Sequence, residues 1–318
     1  MTHRSPLITS AVAALLAVLL GACDRAPEVQ HTRLTAFGTS TELTLAGVDA
    51  PRAAQITRLL AADFTEMERA WHAWRPGPVP RTNWLRSEKP RFAAPPSLIP
   101  LTQISRDLAM RSEHLFNPAI GGLIKLWGFQ SDDASASRPP PDPAAIAALL
   151  AADPRMDDIT VDGFMLENRN PAVQLDFGAI LKGYSMGLAV QHLRELGVAN
   201  AIIDAGGDLR AVGRHDDRAW HIGIRRPRAE GIFASVDIEG DESVFTSGDY
   251  ERFFEHDGVR YHHIIDPRNG QPANQTRSVT VIHADGATAD AAATALFVAG
   301  PTDWYRIARA MGIKYVML

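Results

Sequence analysis

The sequence predicts an α+β fold, in which mostly antiparallel sheets are flanked by helices. Short runs of strand-forming residues are joined by tight hairpin turns, as at Asp162-Gly163 and Asp257-Gly258. Stretches with apolar residues at helical spacing lie between sets of such strands rather than after each strand. With 318 residues, 46% of them hydrophobic, the chain is long enough to bury a core. We therefore expect a single domain of sheets and helices.

The first residues predict a targeting segment. Ala11 to Leu20 is an unbroken apolar run, shorter than the roughly 20 residues of a membrane-spanning helix, and Cys23 follows soon after it. The small residues before Cys23 resemble the site at which bacterial lipoproteins are cleaved and lipidated, and Asp24 is similar to their signal for the inner membrane. We expect a body on the periplasmic side of that membrane, anchored through Cys23. The expected parts are a lipoprotein signal peptide at 1–22, a lipidated tether at 23–31 and one domain at 32–318.

Composition excludes several classes of function. Cys23 is the only cysteine, so the chain forms no internal disulfide and has no second thiol for catalysis or metal binding. The formal net charge is -5. Binding to a nucleic acid backbone needs clustered lysine and arginine, so we expect no nucleic acid partner.

The first half of the chain alternates strands and helices. Leu34 to Leu45 predicts a strand pair interrupted by Gly38. Pro51 to Trp74 predicts an amphipathic helix, because its apolar residues fall on one side and proline is tolerated at a helix start. Ser97 to Leu115 predicts a second helix, and Gln130 to Pro143 predicts a surface loop.

The second half predicts a short Ala/Leu helix, a hairpin at Asp162-Gly163 and then a series of strands. Further strands are expected at Ala201–Asp204, Asp208–Gly213, Trp220–Ile224, Phe233–Ile238, Ser243–Thr246, Glu251–Glu255, Val259–Ile264, Thr280–His283 and Lys314–Leu318. Helices are expected at Ala289–Ala299 and Thr302–Met311.

The segment from Leu175 to Gly207 is a candidate phosphate site. It predicts a strand end carrying Asp176, a tight Gly178-Ala179 turn and a helix from Ile180 to Leu196. Such a turn presents backbone N–H groups and the positive end of the helix dipole, which suits phosphate, and Lys182 lies in the first helical turn. The same pattern also occurs in ordinary packing units, so both interpretations stay open.

Other polar groups cluster in three segments: Thr246–Tyr250, His262–Gly270 and Ala289–Thr294. Asp290 and Thr294 are one helical turn apart, so their oxygens lie on one helix face. Hard oxygen ligands suit Mg²⁺ or Ca²⁺ better than Zn²⁺. The alternatives are that Asp290 only caps its helix and that His263 only fills a strand end.

Six motifs occur in the order FNPAIGGLIKLWGF, GAILKGY, AIIDAGGDLRAVG, TSGDYERFF, HHIIDPRNGQP and ADAAATALFVAG. Together they resemble the FAD:protein FMN transferase (ApbE) family, from about Ala36 to the C-terminus. The resemblance implies a T-fold-like, pseudo-duplicated catalytic domain with antiparallel sheets. It also implies a periplasmic, metal-dependent enzyme that cleaves FAD, attaches FMN through a phosphoester bond to a threonine of a target protein, and releases AMP.

The resemblance assigns site residues by position. His263 matches the catalytic histidine, and Lys182 is expected to share with the metal the neutralisation of charge on the pyrophosphate. Asp290 and Thr294 match the side-chain metal ligands, and Ala179 matches the residue that lends a backbone carbonyl. The expected FAD-binding residues are Phe37, Trp74, Leu115, Phe116, Asn117, Asp176, Lys182 and Ile264.

The reaction that the resemblance implies needs a base and a metal ion. A threonine hydroxyl is a poor nucleophile, so a base with a pKa near 7 that accepts its proton helps, and a metal neutralises charge on the pyrophosphate. Three positions depart from the family pattern: Leu181 and Asn117 replace a common Ala and Asp, and Gly187 replaces a frequent Asp. Trp74 has a second interpretation as a core residue.

The resemblance also implies cofactors and partners. The expected cofactor is Mg²⁺, with Ca²⁺ as the alternative, and FAD is the substrate. The acceptor is a protein with an Asp-Gly-x-Thr type motif, such as a subunit of a membrane redox complex or another flavin-bearing electron-transfer protein. Two other functions stay open, an FAD pyrophosphatase giving FMN and AMP and a non-catalytic FAD-binding lipoprotein.

Asp285 to Thr288 resembles the start of the acceptor motif, and we interpret it as a plain loop before a helix.

Overall fold

The structure is a computed structural model, and it describes residues 29–133, 135–215 and 217–318. The helices are α1 Ala50–Trp71, α2 Pro78–Glu88, α3 Leu98–Arg111, α4 Gly121–Leu126, α5 Pro143–Ala151, α6 Leu181–Glu195 and α7 Gly286–Met311. The strands are β1 Val29–Ala36, β2 Thr39–Ala46, β3 Arg91–Ala93, β4 Ile159–Asp162, β5 Met165–Asn168, β6 Asn200–Ala205, β7 Asp208–Val212, β8 Trp220–Arg225, β9 Ile232–Ile238, β10 Glu242–Gly248, β11 Phe253–His256, β12 Val259–His262, β13 Ser278–His283 and β14 Tyr315–Met317.

Seven strands form a central sheet in the order β1-β2-β6-β7-β10-β13-β14. All neighbouring pairs in it are antiparallel. Smaller antiparallel sheets are formed by β3-β5-β4, β8-β9 and β11-β12. This architecture confirms the predicted α+β class and both hairpins, at Asp162-Gly163 and Asp257-Gly258.

The central sheet has a core on each face. On one face, side chains such as Leu43 of β2 pack with helical residues such as Phe64 of α1, and both are fully buried. Alternate strand residues point to the opposite face. There, Leu209 of β7 packs beneath the β8–β9 hairpin, whose Trp220 is buried against it. The sheet is therefore sandwiched between helices and a small two-stranded sheet.

A third apolar cluster fixes the β11–β12 hairpin. Trp127, Phe129 and Phe254 are buried together, and the Trp127 Nε1–H donates to the Gly270 carbonyl at 2.8 Å. The ring centroids of Phe129 and Phe254 lie 5.8 Å apart. Aromatic pairs at such distances add to the energy of their burial. The cluster anchors the hairpin that ends one residue before His263.

Helices α6 and α7 approach each other closely at their N-termini. A Cβ atom on Gly183 would lie 2.1 Å from the carbonyl oxygen of Gly286. Only glycine fits at such a contact between two backbones. The close approach also brings the Gly183 N–H within 2.9 Å of the Asp290 Oδ2 atom, which accepts its hydrogen bond.

Two helix predictions need correction. Helix α1 ends at Trp71, so Trp74 lies beyond the helix that we expected to contain it. The Arg75–Pro78 stretch contains two prolines and a glycine, a composition that favours a helix stop, yet Pro78 begins helix α2. Proline at the first helical position is tolerated, because its missing N–H would have no partner inside the helix.

The prediction that Asp176 ends a strand was wrong. The segment before it is extended, but it forms only an isolated parallel bridge between Gln174 and Ile120. The Asn83 side chain replaces a neighbouring strand, since it accepts from the Leu175 N–H at 2.7 Å and donates to the Leu175 carbonyl at 2.9 Å. The backbone is thus satisfied without a ladder.

The C-terminal helices were predicted correctly as two segments. Helix α7 is interrupted at Gly300, which has a φ of 68°, and Pro301 follows. Proline and glycine are the usual causes of such kinks. No helix in the described ranges is long and apolar enough to cross a membrane. The expected signal peptide, Cys23 and most of the tether fall outside the described residues.

Candidate functional site

An ion pair between a half-buried lysine and a buried aspartate lies in the site. Lys182, in the first turn of α6, donates to the Oδ2 atom of Asp208 at the start of β7. The other Asp208 oxygen accepts from the Thr246 N–H at 2.9 Å. Burial opposes the charge of Lys182, but the charges of Asp208 and Asp290 raise its pKa. Lys182 is therefore an ammonium at neutral pH, fixed in place by Asp208.

Asp290 faces this ion pair from α7. Burial, and then the charge of Asp208, raise the pKa of Asp290 to about 7. Thr294 follows one turn later on the same helix, with its hydroxyl 3.3 Å from the Ser247 hydroxyl. The cap of α7 is Asp285, whose carboxylate accepts from the Thr288 N–H. The alternative that Asp290 caps the helix is therefore wrong.

The carbonyl of Ala179, the predicted backbone ligand of the metal, lacks the hydrogen bond that a regular helix would give it. In a regular helix, the Gly183 N–H would donate to the carbonyl of Ala179, four residues earlier. It donates to Asp290 instead. No other backbone N–H within the described ranges donates to the Ala179 carbonyl. The turn before α6 thus presents a carbonyl without an intrahelical partner, next to the residue that binds Asp290.

These groups fit a hard divalent cation. Asp290 uses one carboxylate oxygen for Gly183, and the Ala179 carbonyl and the Thr294 hydroxyl supply further oxygens of the type that Mg²⁺ or Ca²⁺ prefers. A cation here would stabilise the ionised carboxylate, which burial alone disfavours. The described residues contain no group of three or more His, Cys, Asp or Glu side chains suited to a metal. A ligand set with one carboxylate agrees with that finding.

His263 directly follows β12. Its Nδ1 atom lies 3.2 Å from the Arg252 carbonyl, which also accepts from the His263 backbone N–H. A proton on Nδ1 leaves Nε2 as the acceptor. Burial and the charge of Arg252 lower the pKa of His263 to about 3, and the charge of Lys182 acts in the same direction. The imidazole is therefore neutral, and the charge of Lys182 acts on both His263 and Asp290.

Trp74 and Asp176 both act on the Arg252 guanidinium. The guanidinium carbon is 5.9 Å from the centre of the Trp74 ring, and its Nη2 atom donates to the Phe129 carbonyl. The charge of Asp176 raises the pKa of Arg252, against a larger lowering by burial. Trp74 is half-buried outside the helix, so its interpretation as part of the α1 core face is wrong. The structure thus brings Trp74, Asp176 and His263 around one arginine.

Phe37 and Ile264 are two further residues that we predicted to bind FAD. Phe37 forms the β1–β2 turn with a φ of 54°, and its ring centre is 5.2 Å from that of Phe64. Thr39, at the start of β2, lies against Gly206 in the turn that leads to Asp208. Ile264 is buried, and its carbonyl accepts from the Ala273 N–H at 2.9 Å. The side chain of Phe37 remains half-buried at the end of the sheet nearest the ion pair.

Three predicted FAD-binding residues use their side chains elsewhere. Leu115 and Phe116 are buried in the main core. Asn117 donates to the Pro154 carbonyl at 2.9 Å, accepts from the Ala119 N–H and lines a separate cavity of about 460 Å³. The side chains of Leu115 and Phe116 are thus not available to a ligand, and the role of this loop in FAD binding stays a prediction.

The sequence analysis missed two charged groups of the site, Asp208 and Arg252, and the partner of a third, Asp249. Asp208 follows the Gly206-Gly207 turn, and a carboxylate directly after two glycines was the available signal. Arg252 lies in the TSGDYERFF motif. Asp249, in the same motif, is buried and holds Arg228 through two hydrogen bonds. Its partner lies 21 residues away, so no local pattern indicates the pair.

The resemblance of Asp285–Thr288 to an acceptor motif has a structural explanation. Thr288 is buried, and its hydroxyl donates to the Asp285 carboxylate at 2.6 Å. The Asp285 carboxylate also accepts from the Thr288 N–H, one of the N–H groups at the start of α7 that have no partner inside the helix. The segment is the cap and first turn of α7, and not the loop before a helix that we expected.

Comparisons with known proteins agree with this geometry. A model of the ApbE family matches residues 37–317. The chain is 42% identical over 296 residues to an FAD:protein FMN transferase of Rhodobacter capsulatus, covering 92% of this chain but 55% of that protein. It is 31% identical over 316 residues to one of Vibrio cholerae, covering 97% of this chain and 92% of the relative. An ApbE protein of Thermotoga maritima has a similar structure, with a TM-score of 0.79 and 29% identity over 91% of this chain and 93% of the other.

Proposed function

Because the chain belongs to the ApbE family, we propose that it is an Mg²⁺-dependent FAD:protein FMN transferase. It cleaves FAD at the pyrophosphate, joins FMN through a phosphoester bond to a threonine of an acceptor with an Asp-Gly-x-Thr type motif, and releases AMP. One arrangement carries this proposal. The buried Asp290 carboxylate accepts the Gly183 N–H, which leaves the Ala179 carbonyl without an intrahelical partner, and the charge of Lys182 acts on both Asp290 and a neutral His263.

His263 acts as the general base. The threonine oxygen bonds to the FMN phosphorus, the bond from that phosphorus to the bridging oxygen breaks, and AMP leaves with the bridging oxygen. The threonine proton passes to His263 Nε2, since the Arg252 carbonyl occupies the Nδ1 side. The two phosphates of FAD bring negative charge, which raises the pKa of a nearby imidazole toward neutrality.

Lys182 holds the charged part of the substrate. Asp208 fixes the ammonium, and a phosphate oxygen can accept one of its three N–H groups. When bound by Asp290, Thr294 and the Ala179 carbonyl, the metal supplies neutralisation of the charge that develops on the pyrophosphate. The N-terminus of α6 contributes its dipole to the same region.

Aromatic side chains serve the ring systems of FAD. Trp74 is half-buried and lies over Arg252, so it can stack on a flat ring near His263. Phe37 presents a second ring at the β1–β2 turn. Asp176 is held by the Gln130 side chain and the Gly178 N–H, and it can accept a hydrogen bond from the nucleotide.

The test measures AMP and flavinylated acceptor in one reaction that contains the purified protein, FAD, Mg²⁺ and an acceptor with an Asp-Gly-Ser-Thr-Thr segment. We expect one AMP for each modified acceptor, and neither product after chelation of the metal. AMP release at the same rate without the acceptor would instead identify an FAD pyrophosphatase. FAD that remains bound and intact in every arm would identify a flavin-binding lipoprotein.

Location forms a separate part of the proposal. The apolar run before Cys23 and the small residues around it support a lipid anchor on that cysteine, with the body on the periplasmic side of the inner membrane. An acceptor in a membrane redox complex, or another flavin-bearing electron-transfer protein at that membrane, would then be within reach of the site.

A further inference from the structure

A cleft of about 590 Å³ lies between the central sheet and the β8–β9 hairpin. Its floor includes Glu42 and Thr44 of β2, and Ile202 and Asp204 of β6. Residues two apart on a strand point to the same face, so the floor is one face of the sheet. It is the face opposite to the helices.

One wall of this cleft is the edge of β8. Five consecutive residues of that strand line it, from His221 to Arg225, whereas β9 contributes Ile232. Successive side chains of a strand point to opposite faces, so a cleft that touches every residue of a run follows the backbone edge. Within the described ranges β8 pairs with β9 alone, and its other edge has no neighbouring strand. That edge offers N–H and C=O groups to an added strand.

The cleft leads to the candidate active site. Asp208 and Glu251 line one end of it, together with the Gly206-Gly207 turn. Asp208 holds Lys182, and the charge of Lys182 also acts on Glu251. An extended segment that runs along β8 toward this end therefore brings a side chain to Asp208, which holds Lys182. FMN transfer to a protein needs such an approach for the acceptor hydroxyl.

The charged residues that line the cleft are the carboxylates of Glu42, Asp204, Asp208 and Glu251 and one cation, Arg225, so an acidic residue of a ligand fits only beside Arg225. Arg225 is the one lysine or arginine among the described residues that line the cleft. Its Nη2 atom lies 3.3 Å from the Gly206 carbonyl, to which it donates, so it is positioned beside the turn before Asp208. Its side chain is exposed and can bind a carboxylate.

The wall is fixed at both ends. At the base, the Trp220 Nε1–H donates to the Val212 carbonyl at 3.1 Å. At the tip, Arg228 binds the buried carboxylate of Asp249 through two hydrogen bonds. Arg228 holds a left-handed φ of 56° in this arrangement. A wall that is ordered in advance lowers the entropic cost of binding a flexible segment.

From these observations, and on the basis of the transferase function above, we propose that the acceptor polypeptide binds in this cleft as an extended strand along the free edge of β8. The aspartate of its Asp-Gly-x-Thr motif lies beside Arg225. The threonine reaches the end of the cleft at Asp208, where its hydroxyl meets the FMN phosphorus and His263 takes its proton.

Hydrogen exchange tests the strand pairing without any catalytic step. The probe is a synthetic peptide with an Asp-Gly-Ser-Thr-Thr segment, added to the full chain without FAD. We expect slower exchange of the backbone amides at 220–225 and unchanged exchange at 253–256, a hairpin strand outside the cleft. Unchanged exchange at 220–225 overturns the proposal. Protection of β8 without any FMN transfer in the presence of FAD and Mg²⁺ supports the cleft and overturns the transferase function.

A charge exchange tests the register. Arg225→Glu should raise the KM for the aspartate peptide about tenfold, and a peptide with lysine in place of that aspartate should restore it. Arg226→Glu is the matched control, because Arg226 is exposed in the next position but does not line the cleft. It should leave the KM for both peptides unchanged. An equal effect of the two substitutions, or no rescue by the lysine peptide, contradicts the placement of Arg225.

Discussion

A histidine with a pKa of about 3 is a weak base in the free protein, and this value gives His263 two properties. Burial and Arg252 keep its imidazole neutral, so Nε2 is free to accept a proton at any physiological pH. Strong basicity appears only when negative charge arrives next to the ring. Bound FAD supplies that charge, so the base becomes effective when its substrate is in place.

The same pKa predicts how stability depends on pH. The folded pKa of His263 lies below the ordinary value of 6.5, so the unfolded chain binds more protons between about 3 and 6.5. The contribution of this residue is therefore complete above 6.5 and is lost as the pH falls. Between pH 7 and 5 the wild type should lose about 1–2 kcal/mol more stability than His263→Gln, measured by urea unfolding. His256→Gln, in the same hairpin, should behave as the wild type, and equal losses in all three proteins contradict the assignment.

Some site residues were predictable and others were not. The spacing of Asp290 and Thr294 on a helix is a local pattern, so the sequence predicts their common face. The free carbonyl of Ala179 is not local, because it depends on Asp290 taking the Gly183 N–H from another helix. Arg252 contacts His263 through its backbone carbonyl, and its guanidinium lies near the Trp74 ring. Neither contact can be predicted from the residues adjacent to Arg252 in the sequence.

At the scale of elements, the contact between α6 and α7 decides the geometry of the site. Gly183→Ala should destabilise the fold by about 1–3 kcal/mol, because the new methyl group meets the Gly286 carbonyl. Gly187→Ala, on the same helix, meets no atom within 4 Å and should stabilise it by roughly 0.5–1 kcal/mol. Thermal unfolding of both variants checks the pair. A neutral Gly183→Ala would show that the helices are further apart.

The metal ligands on α7 predict a second pair of variants. Mg²⁺ should raise the unfolding temperature of the wild type by a few degrees, because it binds only the folded chain. Asp290→Asn should remove this rise, while Asp303→Asn, further along the same helix, should keep it. A rise of equal size in Asp290→Asn would place the cation elsewhere.

Most elements followed from periodicity and turn residues, and the exceptions have physical reasons. Helix α2 begins with Pro78, and sequence analysis interprets clustered prolines as a break although the first helical turn accepts them. The extended segment at 173–176 is paired without a regular ladder, because the Asn83 side chain bonds Leu175 while Gln174 and Asp176 donate to the carbonyls of Ala119 and Pro118. In both cases the observed structure depends on contacts within the fold and not on the local secondary-structure propensity of the segment.

At the scale of the whole molecule, the arrangement of the strands forms a cleft that no sequence motif predicts. The β8–β9 hairpin covers one face of the central sheet without joining it, and the uncovered part of the face becomes the floor beside β8. The sequence predicts each strand separately. Which strand edges stay unpaired depends on long-range order in the sheet, and that order is not encoded in any single segment.

The proposed anchor predicts where the whole molecule resides. In bacterial cells, the wild type should fractionate with the inner membrane and begin at a lipidated Cys23, whereas Cys23→Ser should carry no lipid and keep its uncleaved apolar segment. Mass spectrometry of the N-terminal peptide detects the lipid and the cleavage directly. A wild-type N-terminal peptide without lipid contradicts the anchor.

The central claim is that Asp290, Lys182 and His263 act together on one FAD to modify a threonine. The most direct measurement is a tandem mass spectrum of the acceptor after incubation with FAD and Mg²⁺. We expect FMN joined by a phosphoester to the threonine of the Asp-Gly-Ser-Thr-Thr segment in the wild-type reaction, and a rate lower by about 10²–10⁴ with His263→Gln. An unmodified threonine in the wild-type reaction, or an equal rate with His263→Gln, would contradict the account.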